Sequence, residues 1–366
     1  MASTIAAASG RLGQPVVLDP IAVLTERASI LGLGRHGATS CGGASRLVQT
    51  IDGWVAVSLP RADDLELLPA WLGVAIPPGV AEGLDAAADA VASRPTDVVV
   101  STAVELGLAV AGVGSANDVR PPVVTTAMGD VPPAVSLEDI VVVDLTSLWA
   151  GPLCTRVLAD AGATVIKVES TARPDGARFG PQAFFDLMNA GKRSVGLDLS
   201  AADGRRTLRD LVAAADVVVE ASRPRALAAM GLAPPEVLAG RTRLWVSLTG
   251  YGRNPPDDRR IAFGDDAAAA GGAVLVDDVG PVFCGDALAD PASGLFAAAA
   301  ALTALADGGR SLLDVSMAAV ASTLAPRSDE RAVAAADPCP LPTPPSRGTA
   351  LELGADTVEV LAALAG

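Results

Sequence analysis

Apolar and polar positions follow a strand–helix–strand pattern in residues 139–169. Four consecutive apolar residues at 140–143 predict a strand that helices cover on both faces, as in a parallel sheet. Pro152 suits the first position of the following helix, and Gly162 suits its end. Residues 164–169 then return as a second strand, which is the spacing of a right-handed βαβ unit.

This first crossover predicts the position of a ligand site. Ligands of open parallel sheets bind beyond the carboxyl ends of the strands, because the loops there form a crevice. In this chain, that edge holds Thr146, Ser147, Leu148, Trp149 and Ala150.

The rest of the carboxyl-terminal half continues the alternation. Ser200 is predicted to cap a helix that ends near residue 215, with Asp203 as the acid of a capping box. Further strands are predicted at 194–199, 216–220, 241–250 and 311–316, and further helices at 265–272, from Pro291 and at 317–324. The pattern is typical of α/β proteins with a doubly wound, Rossmann-like parallel sheet.

The amino-terminal third has a different pattern. A helix near residues 21–31 enters a glycine-rich loop at 32–43, and the strand 54–59 follows. Helices at 63–72 and within 80–106 and a strand at 108–113 complete a compact α+β unit. The predicted organisation is a small α+β domain (1–119), a connection (120–135), a large domain (136–325), a Pro/Ala-rich linker (326–350) and a helix packing on the large domain (351–366).

Composition narrows the class of protein. Half of the 366 residues are hydrophobic, which is enough for one large core or two smaller ones. The longest apolar run, 295–306, stops at Asp307 and is too short to span a bilayer, so we expect a buried helix and no membrane association. No signal peptide is recognisable, and we expect a cytoplasmic protein in which Cys41, Cys154, Cys284 and Cys339 are free thiols.

Charge argues against nucleic acid as a partner. The formal net charge is -15, whereas nucleic-acid binding depends on Lys and Arg that neutralise phosphates. A single anionic ligand is still compatible, because cations recur near the predicted strand ends. Individually they could be solvated loop charges, but their recurrence at one edge favours an anion site. These cations are Lys167, Arg173, Lys192, Arg193, Arg223 and Arg225.

A glycine motif permits an alternative. Gly32, Gly34 and Gly37 match the GxGxxG dinucleotide fingerprint, which would indicate an NAD-dependent oxidoreductase. The fingerprint requires a preceding strand and a following helix, and here a helix precedes. His36 is the only histidine, so a Ser-His-Asp or Cys-His mechanism would have to use it, and a tetrahedral zinc site is unsupported. We expect no metal and a loop that covers a ligand.

Asp290 permits two interpretations. Asp is a preferred helix cap, and Pro291 suits the first turn, so a capping role would explain the residue. A fixed carboxylate at the sheet edge could instead attack an activated acyl carbon.

The order of several sequence blocks favours the second interpretation of Asp290. The segments VVVDLTSLWAGPLCTRVLADAGATVIKVE, FFDLMNAGKRSVGLDL, DVVVEASRPRALAAMGL, LWVSLTGYG and GDALADPASG resemble the successive blocks of family III CoA-transferases. This CaiB/BaiF family includes carnitine and formyl-CoA:oxalate CoA-transferases and alpha-methylacyl-CoA racemase. The resemblance covers about residues 136–322, and the tail LGADTVEVLAALAG resembles the family's final helix.

The amino-terminal third resembles the small domain of the same family. GGASRLVQTIDGWVAVSLP is similar to its glycine loop and following strand, and VELGLAVAGVGSAND to its closing segment. In the family that segment lies downstream of the large-domain strands, so the resemblance implies a small domain moved to the amino terminus. It also implies a homodimer, which is an interlocked ring in the family.

The resemblance assigns functional roles. Asp290 matches the catalytic aspartate that forms an acyl anhydride and then an aspartyl-CoA thioester, with CoA as substrate and no tightly bound cofactor. The glycines of the mobile lid are matched at Gly42 and Gly43. The CoA contacts implied by the resemblance, together with the strand-end cations, are Leu148, Trp149, Ala150, Lys167, Arg173, Met188, Lys192, Arg193 and Arg223.

Three positions depart from the family pattern. Ser170 replaces a phosphate-binding Arg, and Ala221-Ser222 replaces Asn-Phe, so Arg173 and Arg223 are the candidates to compensate. Phe263 stands at the position of the racemase histidine and cannot exchange protons, which leaves Asp265 as the nearby candidate base. We therefore predict CoA transfer between carboxylic acids, with an acyl-CoA racemase or a catalytically silent CoA-binding homologue as alternatives.

Overall fold

The computed structural model describes residues 1–116, 120–326 and 341–365. Its helices are α1 (Ala2–Arg11), α2 (Pro20–Leu31), α3 (Ala62–Leu72), α4 (Val80–Val91), α5 (Thr96–Leu106), α6 (Ala150–Asp160), α7 (Gln182–Asn189), α8 (Ala202–Ala214), α9 (Pro224–Ala228), α10 (Pro234–Leu238), α11 (Gly264–Ala270), α12 (Ala289–Asp307), α13 (Met317–Ser322) and α14 (Thr357–Ala365). Its strands are β1 (Ser45–Gln49), β2 (Trp54–Ser58), β3 (Ala109–Gly112), β4 (Val123–Gly129), β5 (Val141–Leu145), β6 (Thr164–Ser170), β7 (Arg193–Leu197), β8 (Val217–Glu220), β9 (Leu244–Thr249), β10 (Val274–Val276), β11 (Pro281–Phe283) and β12 (Arg310–Ser316).

A seven-stranded sheet forms the centre of the large domain. Its strand order is β4-β12-β9-β8-β5-β6-β7, and only the β4–β12 pair is antiparallel. Alternate residues of each strand face opposite sides, because side chains in a strand point up and down in turn. Val142 packs with α6 and α12, whereas Val143 packs with α8. The predicted doubly wound α/β fold is confirmed.

The amino-terminal third contributes to two cores. β1, β2 and β3 form an antiparallel sheet, and α3, α4 and α5 cover it with their own apolar core. α1 and α2, in contrast, place Ile5, Leu12 and Val23 in the core of the large sheet. The small unit is therefore shorter than the predicted range 1–119, because its first thirty or so residues follow the apolar surface of α12.

Two further expectations were wrong. Residues 120–135 are not only a connection, since β4 lies within them and forms an edge of the large sheet. Ser200 does not cap α8; it hydrogen-bonds Asp198 instead (Ser200 Oγ to Asp198 Oδ1, 2.5 Å), and the helix begins after Ala201 without a side-chain cap.

The carboxyl-terminal helix packs on the outer edge of the large sheet. The Ser194 backbone N–H donates to Asp356 Oδ2 (2.8 Å), and the Gly196 N–H donates to Thr357 Oγ1 (3.0 Å). Val360 joins the core on the α8 side. Most of the predicted linker 326–350, the end of the predicted small domain at 117–119 and Cys339 lie outside the described residues. Within them, Cys41, Cys154 and Cys284 are free thiols.

The apolar helix α12 lies in the interior of the protein. By length and composition it could cross a membrane, but 72% of its most apolar window is buried by the rest of the chain. A core helix passes the same test, and α12 packs closely on α6 through Gly294. A Cβ at Gly294 would lie 2.6 Å from the Ala150 carbonyl oxygen and 2.8 Å from a Leu153 methyl group.

Two buried ion pairs support the loop between β5 and α6. Lys192 Nζ is 3.1 Å from Asp144 Oδ2, and Asp144 accepts the Thr146 N–H at 2.9 Å. Lys167 Nζ is 2.8 Å from Asp175 Oδ2 and also donates to the Thr146 carbonyl (3.0 Å). Burial opposes ionisation of Asp144, but the two ammonium groups outweigh it and hold its pKa below the ordinary value.

We predict that Gly294→Ala destabilises the protein by roughly 1–3 kcal/mol, because the added methyl group overpacks the contact between α6 and α12. Gly10→Ala is the matched control at an exposed position of α1, where a Cβ would meet only Pro15 at 3.7 Å. It should be neutral or stabilising by up to about 1 kcal/mol, because alanine favours a helix interior. Urea unfolding measures both; equal effects would contradict the packing argument.

We predict that Lys192→Met costs about 3–5 kcal/mol, because it leaves the Asp144 carboxylate buried without its partner. Arg193→Met changes the next residue, whose pair with Glu359 is exposed, and should cost less than about 1 kcal/mol. The free energies of unfolding of both variants and the wild type, measured at neutral pH, test this prediction. A small loss for Lys192→Met would show that the buried pair is not what supports the loop.

Candidate active site

The loop after β5 holds a residue in an unfavourable backbone conformation. Leu148 has φ 67°, in the left-handed region that non-glycine residues avoid at a cost of about 1–2 kcal/mol. Its N–H donates to Asp175 Oδ1 at 2.9 Å, and Asp175 is in turn held by Lys167. The ion pairs below the loop therefore fix Leu148 at the sheet edge, where its side chain is 42% exposed.

A second left-handed residue precedes α12. Ala287 has φ 43°, and its N–H donates to Asp265 Oδ1 at 3.0 Å. The Asp290 N–H donates to the Ala287 carbonyl at 2.8 Å, so this turn sets the position of Asp290 in the first turn of α12.

Asp290 does not cap the helix. The residue at the cap position is Leu288, and Asp290 is the second residue of α12. The capping interpretation is thus wrong, because the helix begins at Ala289, two residues earlier than the sequence predicted. A carboxylate in the first turn still benefits from the positive end of the helix dipole.

Two cavities meet at Asp290. The larger has a volume of about 600 Å³ and the smaller about 340 Å³. The residues that line both are Arg61, Ser147, Leu148, Phe263 and Asp290. Asp290 therefore faces two compartments, which is an arrangement that could present two different groups to one carboxylate.

The surroundings raise the proton affinity of Asp290. Burial is the largest cause, and the neighbouring Asp265 carboxylate adds to it; together they raise the pKa of Asp290 to about 7. Arg27 opposes the shift, as does a hydrogen bond from the Gly264 N–H, while Asp286 contributes in the same direction as Asp265. Perturbed carboxylates of this kind cluster at functional sites.

Gly264 allows the backbone to approach this carboxylate. A Cβ at this position would lie 2.5 Å from Asp290 Oδ2 and 2.4 Å from the Ala287 carbonyl oxygen. No larger residue would fit, so glycine is required for the contact between this N–H and the carboxylate.

Six of the predicted CoA contacts line the two cavities. Gly42, Leu148, Trp149 and Arg173 line the larger one, and Leu148, Ala150 and Arg223 line the smaller one. Arg173 also borders a third, 170 Å³ cavity together with Ser170 and Ser222, two of the positions that depart from the family pattern. An exposed guanidinium is therefore present where the expected Arg is missing.

Five predicted contacts lie outside these two cavities. Gly43 lies next to the lining residue Gly42, and Met188 is fully buried in the large core. Lys167 and Lys192 are 2% and 3% exposed and bind internal oxygens, because the sheet interior supplies carboxylates for them. They are not solvated loop charges, and they border only a separate cavity of about 10 Å³. Arg193 pairs with Glu359 on the surface.

Sequence reasoning missed two arginines at the site. Arg27 is on α2 and bonds Asp286 at 2.6 Å, and Arg61 precedes α3. No local motif marks either residue. Both come from the amino-terminal third, and only the tertiary fold brings them to the end of the large sheet.

The features that suggested other chemistries lie in different places, some of them at this site. Gly32 ends α2, so no strand precedes the glycine motif, and His36 is exposed in the loop that follows. Phe263 lines both cavities without a basic group. Both Asp265 oxygens accept hydrogen bonds, from Ala287 and Ser45. The described residues contain no cluster of three or more metal-ligating side chains.

Comparisons with known proteins identify the family of the chain. The sequence model described as CoA-transferase family III matches residues 137–337, which is more than half of the chain. The chain is 35% identical over 189 residues to "Acyl-CoA transferase" of Fusarium pseudograminearum, covering 46% of this chain and 41% of that protein. It is 35% identical over 181 residues to succinyl-CoA:glutarate CoA-transferase of Mus musculus, with the same shares covered.

A crystal structure of Rv3272 from Mycobacterium tuberculosis is also similar, at 34% identity and a TM-score of 0.47 over 53% of this chain and 57% of that one. The alignments span only about half the length of these relatives. Because the family's sequence model covers the large domain together with the strand-end loops and Asp290, the chain belongs to CoA-transferase family III.

Proposed function

We propose that this protein transfers coenzyme A from an acyl-CoA to a carboxylic acid, with Asp290 as the nucleophile. The observation that carries the proposal is the position of Asp290 between two cavities, in surroundings that remove water and raise its proton affinity. Desolvation makes a carboxylate more reactive towards an acyl carbon and protects an activated intermediate from hydrolysis.

The reaction balances in two symmetric halves. The Asp290 carboxylate attacks the thioester carbon and the C–S bond breaks. CoA departs as a thiolate, and the acyl group is now joined to Asp290 as an anhydride. The thiolate then attacks the aspartyl carbon, which releases the first acid as a carboxylate and leaves a CoA thioester on Asp290. An acceptor carboxylate attacks the carbonyl carbon of that thioester, which releases the CoA thiolate and forms a new anhydride with Asp290. The thiolate then attacks the acyl carbon of the acceptor, which gives the new acyl-CoA and regenerates the Asp290 carboxylate. Backbone N–H groups such as that of Gly264 are suited to stabilise the oxyanions.

The cations on the cavity walls support a CoA role for the strand ends. Arg173 and Arg223 are exposed, and neither has an ion-pair partner in the described part of the chain. We assign them to the phosphates of CoA, while Leu148 and Trp149 offer apolar surface to its organic part. The rearranged domain order and the homodimer are further expectations of the family resemblance, and a cytoplasmic location is the expectation from the sequence.

The relatives suggest the first substrates to test. One is a succinyl-CoA:glutarate CoA-transferase of Mus musculus, and another is a formyl-CoA:oxalate CoA-transferase of a Bradyrhizobium strain. A mass-spectrometric screen should therefore begin with succinyl-CoA and formyl-CoA against short dicarboxylates. If the protein binds CoA but transfers it in none of many substrate combinations, the result would favour a catalytically silent CoA-binding homologue.

We predict that Asp290→Asn lowers transfer by at least about 10³-fold while CoA binding persists, because an amide cannot form the anhydride. Asp307→Asn changes the exposed acid at the other end of α12 and should leave the rate near that of the wild type. Steady-state rates and calorimetric CoA binding measure the two effects. Near-normal transfer by Asp290→Asn would contradict the proposal.

We predict that Asp290 also makes stability depend on pH. Its pKa of about 7 in the folded protein exceeds the value near 3.9 of an unfolded chain, so the folded state holds an extra proton between these values. Its contribution to the free energy of unfolding is complete below about pH 4 and is lost as the pH rises through 7. The wild type should therefore lose roughly 1–3 kcal/mol of unfolding free energy, relative to Asp290→Asn, when the pH is raised from 5 to 8. Urea unfolding at both pH values measures it; a constant difference would contradict the shift.

A further inference from the structure

Asp265 connects the turn that holds Asp290 to the glycine loop. Its Oδ1 accepts the N–H of Ala287 at 3.0 Å, and its Oδ2 accepts the Oγ–H of Ser45 at 3.1 Å. Asp265 is in the first turn of α11, whereas Ser45 is the first residue of β1, 220 positions away along the chain. One carboxylate thus joins two segments that border the same cavity.

The Ser45 end of this connection is rigidly attached to the glycine loop. The Ser45 N–H donates to Ser40 Oγ at 3.1 Å, and the Ser40 N–H returns a bond to the Ser45 carbonyl at 2.9 Å. The Gly43 N–H also donates to the Ser40 carbonyl at 2.9 Å. These hydrogen bonds connect the segment of Gly42 and Gly43 to Ser45, and Ser45 in turn to Asp265.

The Ala287 end controls Asp290. Ala287 keeps its left-handed conformation while its N–H is bound to Asp265, and its carbonyl accepts the Asp290 N–H at 2.8 Å. Gly264, the residue before Asp265, contacts the Asp290 carboxylate through its backbone. Release of the Asp265 hydrogen bond would thus free the turn that sets the Asp290 side chain.

Asp265 is a second buried carboxyl group next to Asp290, and its negative charge raises the pKa of Asp290. Burial, followed by the Asp286 charge, raises the pKa of Asp265 itself, whereas hydrogen bonds from Ser45, Ala287 and Ser40 lower it. Asp286, the other nearby acid, is paired with Arg27 of α2 at 2.6 Å, whereas Asp265 has no cation within ion-pair distance among the described residues. Cys41 of the glycine loop lies near both acids, and burial together with their charge raises its pKa to about 11, so the thiol is neutral. The other charged groups on the walls of the two cavities are Arg61, Arg173, Arg223, Asp257, Asp258 and Arg260.

We propose that Asp265 is a positioning residue for Asp290: its two carboxylate oxygens tie the glycine loop to the Ala287 turn, and its carboxyl group lies beside the Asp290 carboxylate in the same cavity. The inference rests on the proposed function, since it assumes that Asp290 attacks the acyl carbon. A basic nucleophile attacks faster once ionised, so loss of the Asp265 charge should slow transfer even though more of Asp290 would be ionised.

The test uses Asp265→Asn and a readout that needs no transfer activity. The amide oxygen can still accept the Ala287 N–H, so the turn is kept while the charge is removed. A diazo ester, which esterifies protonated carboxyl groups, labels Asp290 over a range of pH, and peptide mass spectrometry gives the midpoint. We expect the midpoint to fall by about one pH unit, the usual size of such a charge effect. In a transfer assay above about pH 8, where Asp290 is ionised in both proteins, kcat should fall several-fold, by less than the roughly tenfold that one pKa unit is worth, with KM little changed.

Two variants control for structure. Asp266→Asn removes the adjacent buried acid, whose Oδ1 accepts the Phe263 N–H at 2.8 Å, and should leave the Asp290 midpoint near that of the wild type. Ser45→Ala keeps the Asp265 charge but cuts the connection to the loop, so kcat should fall several-fold with the midpoint nearly unchanged.

The outcomes separate the two proposals. An unchanged or raised midpoint in Asp265→Asn would overturn the charge effect, and a wild-type kcat in Ser45→Ala would overturn the connection to the loop. If the wild type transfers no CoA but the midpoint still falls, the proposed function fails and the electrostatic part of this inference stands.

Discussion

The arrangement of the site depends on the burial of the Asp290 carboxylate, because the groups around it must offset the cost of removing it from water. A buried carboxylate without compensation becomes protonated, and one with a close cation becomes a weak nucleophile. Here Arg27 limits the shift in pKa but is itself paired with Asp286, and the Gly264 N–H gives one direct hydrogen bond. The balance keeps Asp290 near its titration point at neutral pH, where it can be both ionised and basic.

The rest of the fold holds the two loops that flank Asp290 in fixed positions. The buried pairs of Lys167 with Asp175 and Lys192 with Asp144 hold the loop that carries Leu148 on one side of the site. On the other side, Asp265 holds the turn at Ala287. Both contacts stabilise non-glycine residues in left-handed conformations, whose cost is met by the surrounding structure and is typical of functional sites.

The sequence was most informative where apolar runs are continuous. The strands around residues 141–145 and 217–220 were predictable because both faces of a parallel strand are buried. β4 was not predictable, since five of its seven residues are exposed, none is fully buried, and it lies at the edge of the sheet after two prolines. Its identity depends on pairing with β12, nearly two hundred residues later.

The site was only partly predictable for a similar reason. Asp290 and the Leu148 loop could be identified because they lie at strand ends and match family blocks. Lys167 and Lys192 were predicted near the ligand because a cation beside a strand end usually points outwards. Each instead pairs with a buried acid, Asp175 and Asp144, that no helix or strand period links to it. Arg27 and Asp265 act through contacts that span more than two hundred residues, which no local pattern reveals.

The most direct test of the central claim is to trap the intermediate on Asp290. The protein is incubated with an acyl-CoA that it accepts, quenched with hydroxylamine and digested, and the peptides are analysed by mass spectrometry. A hydroxamate on Asp290, formed only when acyl-CoA is present and absent from Asp290→Asn, is the predicted result. Turnover with no adduct on Asp290, or with the adduct on another residue, would contradict the claim that Asp290 is the nucleophile.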